Sequence, residues 1–379
     1  MPANPATQTT RKPPLPALTG IRTLLAFNIV LFHFTPSHLG PLRPFVENGF
    51  VFVNVFFLIS GYILTYNYSD RAATLVKRDF WIARFSRLYP VYLLVLIISL
   101  TMLQEEWNAR PHGDFWMGLV LTPLLLEGWS PTLATFWNTV AWTLSCEVAF
   151  YAAFPWLIRA PWPRKPSGLI LLLLVLWGFD LIPSNLYMLL NPDHLASPAT
   201  RYTSTTLIRF LKYTPIPYAC TFLTGIVLAR LQLTLLITQR QRLAIAAAAL
   251  AALGFFFYVV SPHVPYLVKH GGILLPLFES LVFGLSGPHI ISSIFAWRPL
   301  LLVGESSYCL YLLHFNVFIL LHLYHIPERL HLAAFDPWIS YAALIFLSLA
   351  VYRFVENPAR KAILRRFSQR TIRGAPAVP

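Results

Sequence analysis

Long apolar runs separated by short polar breaks occupy nearly all of this 379-residue chain, and only 12% of its residues are charged. Soluble globular domains carry about 25% charged residues. A helix needs roughly 20 apolar residues to cross a hydrocarbon core, and backbone exposed to lipid must satisfy its own hydrogen bonds. At a mean hydropathy of +0.60, the pattern excludes a soluble enzyme, a disordered chain and a coiled coil. It predicts an all-α, polytopic membrane protein with about ten transmembrane helices.

The expected spans are 18–35, 50–67, 88–104, 137–158, 168–190, 208–230, 243–260, 272–290, 299–322 and 337–355. Interior prolines such as Pro215, Pro217 and Pro276 predict kinked spans. The run 115–127 is short and broken by Pro123 and Glu127, so it reads as interfacial or re-entrant. The first apolar run is too long for a signal-peptide core and reads as a retained span.

The formal charge of +14 would suggest nucleic acid in a soluble protein. Here the basic residues fall mainly in alternate loops. With the N-terminus inside, Arg11, Lys12 and Arg22 share the cytoplasmic side with Arg71, Lys77, Arg78, Arg84 and Arg87. Arg159, Arg164, Lys165, Arg230, Arg240, Arg242 and Arg298 join them, and so does the tail from Arg353 to Arg373. This positive-inside bias predicts that both termini are cytoplasmic, that membrane lipids are partners and that nucleic acid is not. The expected divisions are an N-terminal tail over 1–16, a transmembrane domain over 17–358 and a basic tail over 359–379, mostly disordered. No internal repeat is visible.

Ionisable and polar groups at membrane depth are costly, so their positions are informative. His33 lies eleven residues after Arg22 in the first span, on the same helix face and about 16 Å away. Thr143, Glu147 and Tyr151 run i, i+4, i+8 down one face of another span. Glu147 must there be paired, neutral or in a wet cavity, and either a His N–H or an Arg would serve as its partner. Arg84 and Arg87 share a face at the expected mouth of a span, and guanidinium forks suit phosphate. The plainer account of that pair is positive-inside charge.

Ser60-Gly61 allows close helix approach and leaves a hydroxyl free. Ser307, Tyr311 and His314 form a polar stripe in an otherwise apolar helix. His322 and His325 lie i, i+3 near the outer end, but no acidic or Cys ligand completes a zinc site with them, so no metal is expected. Glu356-Asn357-Pro358 reads as a helix stop. Cys146, Cys220 and Cys309 all fall in apolar runs and read as buried free thiols.

In combination these segments resemble the membrane acyltransferase family 3, the bacterial O-acyltransferases of surface glycans and related molecules. The matching pieces come in family order from about Leu18 to Pro358. They are Leu18-Thr19-Gly20-Ile21-Arg22 leading to His33, Phe57-Leu58-Ile59-Ser60-Gly61, Arg84-Phe85-Ser86-Arg87, Trp142-Thr143-Leu144-Ser145-Cys146-Glu147, Ser307 to His314, and Glu356-Asn357-Pro358. The opening motif departs from the family's usual Arg-Gly-Leu, reading Gly20-Ile21-Arg22-Thr23.

The resemblance implies that His33 is the catalytic histidine and that Arg84 and Arg87 serve the acyl donor. It implies a stand-alone form with no SGNH domain after Pro358, in a bacterial cytoplasmic membrane. The implied co-substrate is acetyl-CoA or another acyl-CoA, and the implied acceptor a hydroxyl of a surface glycan or a lipid-linked glycan. Glu147 is expected to orient the His33 imidazole, Arg22 to assist on the donor side, and Ser60, Tyr151, Tyr311 and His314 to position substrate. A transporter or flippase for a lipid-linked sugar is the alternative from another class.

Overall fold

A computed structural model describes residues 12–373, with side chains described through residue 367. Arg11 and residues 374–379 lie outside the described residues, as do the side chains of Arg370 and Arg373. Among the described residues every regular element is helical.

The helices that build the bundle are numbered here in chain order. They are α1 (Pro16–His33), α2 (Phe52–Tyr68), α3 (Lys77–Ile98), α4 (His112–Leu121) and α5 (Trp142–Leu157). Then come α6 (Pro166–Leu190), α7 (Thr206–Tyr213), α8 (Ala219–Thr234), α9 (Gln239–Phe255) and α10 (Tyr266–His270). The last are α11 (Leu275–Leu285), α12 (Arg298–Glu305), α13 (Ser307–Leu323), α14 (Trp338–Val351) and α15 (Asn357–Arg373).

Among the described residues seven helical stretches are long and apolar enough to cross a membrane, or eight if the bent pair α12–α13 is one span. The 16-residue helices α5 and α8 lie where two further spans were expected. The protein is thus an all-α, multi-pass membrane protein.

Several boundaries move, each for a local reason. The third span begins at Lys77 rather than near residue 88, because no breaker separates Lys77 from Pro90. This carries Arg84 and Arg87 into the helix, two turns or more from its start. Pro215 and Pro217 split the expected span 208–230 into α7 and α8. A bend of 64° separates α12 from α13. The run 115–127 becomes α4 followed by a turn of 3-10 helix at Glu127–Trp129.

The expected stop at Glu356-Asn357-Pro358 is corrected. After α14 a turn of π-helix (Tyr352–Glu356) leads directly into α15, where Pro358 falls in the first turn and needs no N–H partner. Helix therefore crosses the expected boundary at residue 358 and continues to Arg373, where disorder was expected. There α15 packs along α3, with the Arg78 guanidinium 5.9 Å from the Phe367 ring.

Close backbone approach organises the centre. Gly61 of α2 lies against the Phe222 carbonyl of α8, and Gly225 of α8 lies against the Leu58 carbonyl of α2. A Cβ at either position would overlap backbone, so the two helices cross through a matched pair of glycines. Pro155 inside α5 supplies no N–H to the Tyr151 carbonyl one turn earlier. The Trp81 indole of α3 donates to that carbonyl at 3.1 Å and so joins the two helices.

One end of the bundle gathers the basic loops. Lys12 pairs with Asp70 at 2.9 Å, Arg159 donates to the carbonyls of Ala72 and Leu75, Arg230 donates to Ile158, and Arg242 bonds Gln232 and the Phe283 carbonyl. A groove of about 850 Å³ opens there, lined by Arg159, Trp162, Arg164 and Arg230 among others. The opposite end is tied by Arg201 to the Phe32 carbonyl, Arg209 to Pro131 and Tyr258 to Pro41.

Candidate active site

Two polar clusters lie along α1, one at each half of its length. At its last residue the His33 ring packs inside the bundle. It lies 5.3 Å from the ring of His314, 5.2 Å from that of Phe315 and 6.4 Å from that of Phe34, centroid to centroid. The Phe34 ring in turn stacks on Phe318 at 3.9 Å.

His314 is fully buried, and its Nδ1–H donates to the Tyr311 carbonyl at 2.5 Å. A carbonyl only accepts, so the proton of that ring sits on Nδ1. The Nε2 is shielded and has no hydrogen-bond partner. Arg201 roofs the cluster: its guanidinium lies 4.1 Å from the Phe32 ring, donates to the Phe32 carbonyl at 3.3 Å and is within electrostatic range of His33.

The second cluster lies deeper. Arg22 stands over the Phe56 ring at 5.9 Å. Arg87 is within electrostatic range of Glu147, Tyr151, Glu356 and Tyr308. Glu147 is within electrostatic range of Arg87, Arg22 and Arg84, with Tyr151 one turn along α5 beside it. The Tyr151 hydroxyl shares a 3.0 Å hydrogen bond with Ser60 Oγ. The Tyr311 hydroxyl donates to the Val140 carbonyl at 3.5 Å, and Thr143 Oγ1 donates to the same carbonyl at 2.9 Å.

Glu356, aimed inward by the π-helical turn, accepts from Cys309 Sγ at 3.1 Å and faces Arg87 and Arg22. Among the described residues none of these arginines forms an ion pair within 4.0 Å, and Arg84 Nε is shielded without a partner. Arg22, Ser60, Arg84, Arg87, Glu147 and Tyr311 all keep part of their surface accessible although helices surround them. Three guanidinium forks thus face a shared polar interior with unfilled donor capacity, and two carboxylates hold their charge in balance.

The expected face Thr143–Glu147–Tyr151 does point inward as one surface. Arg22, Arg84, Arg87, Ser60, Tyr151 and Tyr311 converge on Glu147 or its immediate partners. The electrostatic partners of Glu147 are arginines, and those of His33 are His314 and Arg201. Asn138 and Asn316 tie the segment before α5 to the Leu312–Asn316 turn of α13, level with His314. Glu147 lies five residues beyond Trp142, about 7 Å deeper. The group that meets His33 is His314 instead.

Two carboxylates escaped the sequence reading as site residues. Glu356 was assigned to a helix stop, and its inward aim depends on a π-turn that no motif announces. Glu127 was noted only as a break, yet it is wholly buried beside Cys146, with both carboxylate oxygens unpartnered. Its signal was available: an acid inside an apolar run. Cys146 and Cys309 are buried free thiols, and Cys220 is half-buried. His322 pairs with Asp336 at 2.9 Å. Among the described residues no group of three or more His, Cys, Asp or Glu is placed to hold a metal ion.

Comparison with known proteins identifies the family. The sequence profile of the acyltransferase 3 family, described as an acyltransferase domain, matches residues 15–352. The acyltransferase MdmB of Streptomyces mycarofaciens is 34% identical over 151 residues, covering 37% of this chain and 38% of that protein. The O-acetyltransferase OatA of Staphylococcus aureus is 24% identical over 390 residues, covering 93% of this chain and 58% of the relative. The chain therefore spans less than three-fifths of the length of that relative. No solved structure matches. With a profile match over nearly the whole bundle and the His and Arg motifs gathered in its interior, this chain belongs to the acyltransferase 3 family.

Proposed function

We propose that the protein is an integral membrane O-acyltransferase that moves an acyl group, acetyl in the simplest case, from acyl-CoA to a hydroxyl of a glycan, lipid-linked glycan or related acceptor. The single observation that carries this reading is the pairing of a histidine cluster with an arginine cluster along one helix. Acyl-CoA is polyanionic, and the end of the bundle with the basic loops is the end that faces the cytoplasm under the positive-inside bias. Arg84, Arg87 and Arg22 offer forks to its phosphates, and Glu147 and Glu356 position those forks.

The acceptor hydroxyl meets His33 from the opposite face. Its proton passes to the imidazole as its oxygen bonds the thioester carbonyl. The C–S bond then breaks, the thiolate leaves, and the imidazolium returns the proton to it as CoA thiol. His314, with its proton fixed on Nδ1, keeps Nε2 turned into the same space and positions the His33 ring. Ser60, Tyr151 and Tyr311 position the acyl arm between the two clusters. Both termini lie in the cytoplasm in this reading, and the membrane is the bacterial cytoplasmic membrane. No resident metal enters the chemistry.

Reconstituted protein should release CoA from acetyl-CoA only with a hydroxyl acceptor, and mass spectrometry of surface glycans and lipids should show an acetyl increment that requires the intact gene. His33→Ala should abolish that product, about the 10²–10⁴-fold or more expected of a lost general base, while the protein still inserts. Near-normal turnover by His33→Ala would remove the central role. Movement of a lipid-linked sugar without CoA release would favour a flippase.

A further inference from the structure

A third group of buried polar residues lies apart from both clusters, where the α10–α11 span is interrupted. Helix stops at His270 and resumes at Leu275, with Gly271 and Gly272 between and Gly272 at φ +84°. Two side chains of α6 one turn apart press against this break: Asp180 on Gly272, and Ser184 on Gly271. A Cβ at Gly272 would collide with the Asp180 carboxylate, so only glycine admits the acid there.

The acid is 5% exposed, and its one hydroxyl partner is Thr221 of α8, at 3.3 and 3.5 Å. From α11, Glu279, 8% exposed and with Oε1 shielded and unpartnered, is within electrostatic range of it. Cys220 of α8 and Tyr218 just before it complete the surroundings. His270, with Nδ1 on the Tyr218 hydroxyl at 3.1 Å, stands at the same break. Among the described residues Lys212 acts on His270, and no cation acts on either acid. A cavity of about 20 Å³ touches Asp180, Asn54, Ser184, Tyr218 and His270, and that is room for one water-sized particle.

Two carboxylates in a low-dielectric bundle with no basic partner cannot both stay ionised and unpaired. An interrupted helix with an acid at the break is a recurring way to hold a small cation in a membrane.

We propose that Asp180, at the Gly271–Gly272 break and facing the small polar cavity, is the binding site for one small monovalent cation, H⁺ or Na⁺. Its occupancy joins α6 to the interrupted α10–α11 span. The site is separate from the acyl-transfer clusters and stands whether or not that reading holds.

The test is infrared spectroscopy of the full-length protein in lipid nanodiscs at neutral pH, grown with aspartate isotope-labelled at the side-chain carboxyl. None of the other five aspartates (Asp70, Asp79, Asp114, Asp193 and Asp336) is buried, so an un-ionised labelled carboxyl reports Asp180. In choline chloride that band should be present, and Asp180→Asn should lack it. If NaCl converts it to carboxylate, Na⁺ is the occupant; if it persists in NaCl, the occupant is a proton. An Asp180 that is carboxylate in choline and indifferent to NaCl overturns the proposal. Should Asp180→Asn fail to fold, the labelled wild-type band still decides.

Discussion

At the scale of single residues, the unexpected neighbours separate two roles that the sequence left joined. The spacing of Arg22 and His33 put a cation and an imidazole on one helix face, and the structure keeps both there. Glu147 was legible as an interior acid with either a His or an Arg as partner. The choice of Arg depends on how far α5 descends before the acid appears, and no spacing within α5 encodes that. The two partners predict different kinetics. Glu147→Gln removes a carboxylate that faces Arg87, Arg22 and Arg84, so it should raise KM for acetyl-CoA and leave the pH profile of kcat in place. His314→Gln removes the ring beside His33. It should lower kcat about tenfold or more and displace the pH profile, as expected when the surroundings of a general base change. Initial rates over a pH series for both variants measure this. A displaced profile for Glu147→Gln would return that acid to His33.

At the scale of helices, apolar runs made the elements easy to read and their ends hard. Every expected span has a helix in its place, because hydropathy over about 20 residues is a strong signal. The starts and breaks depend on weaker signals. Lys77 to Arg87 was read as the cytoplasmic approach to a span beginning near residue 88, yet it is the first half of α3, since no breaker separates Lys77 from Pro90. The Gly61–Gly225 crossing was legible only on one side, as Ser60-Gly61. Its partner lies more than 160 residues away in α8, which only the folded bundle reveals. Because each glycine meets backbone rather than a movable side chain, Gly225→Leu should destabilise the fold by about 1–3 kcal/mol, the range for overpacking. Trp81→Phe should cost about 1–3 kcal/mol by leaving the Tyr151 carbonyl unpartnered. Thermal unfolding in detergent, followed by intrinsic fluorescence or by size-exclusion recovery, measures both. A control change at the exposed Trp116 of α4 should have little effect.

At the scale of the whole molecule, the two ends of the bundle differ in a way that composition alone hinted at. The overall charge of +14 says that basic residues are in excess but not where they gather. In the fold, Lys12 pairs with Asp70, and Arg159, Arg230 and Arg242 donate to backbone carbonyls of neighbouring segments at one end, while the His33 and Arg201 cluster approaches the other. Under the proposed function this arrangement would give acyl transfer a physical direction: a polyanionic donor would be drawn to the basic end and a hydroxyl acceptor would reach the histidines from the far end, so neither large substrate would have to cross. The direction itself is testable through the loops. In a protein with its three native cysteines replaced by serine, Arg164→Cys sits at the basic end and Thr132→Cys in the loop held by Arg110 and Arg209 at the far end. A membrane-impermeant maleimide added to intact cells whose outer envelope has been opened should label Thr132→Cys. It should reach Arg164→Cys only after the inner membrane is permeabilised. The reverse pattern would place the histidine cluster toward the cytoplasm, and the donor and acceptor would then have to exchange ends.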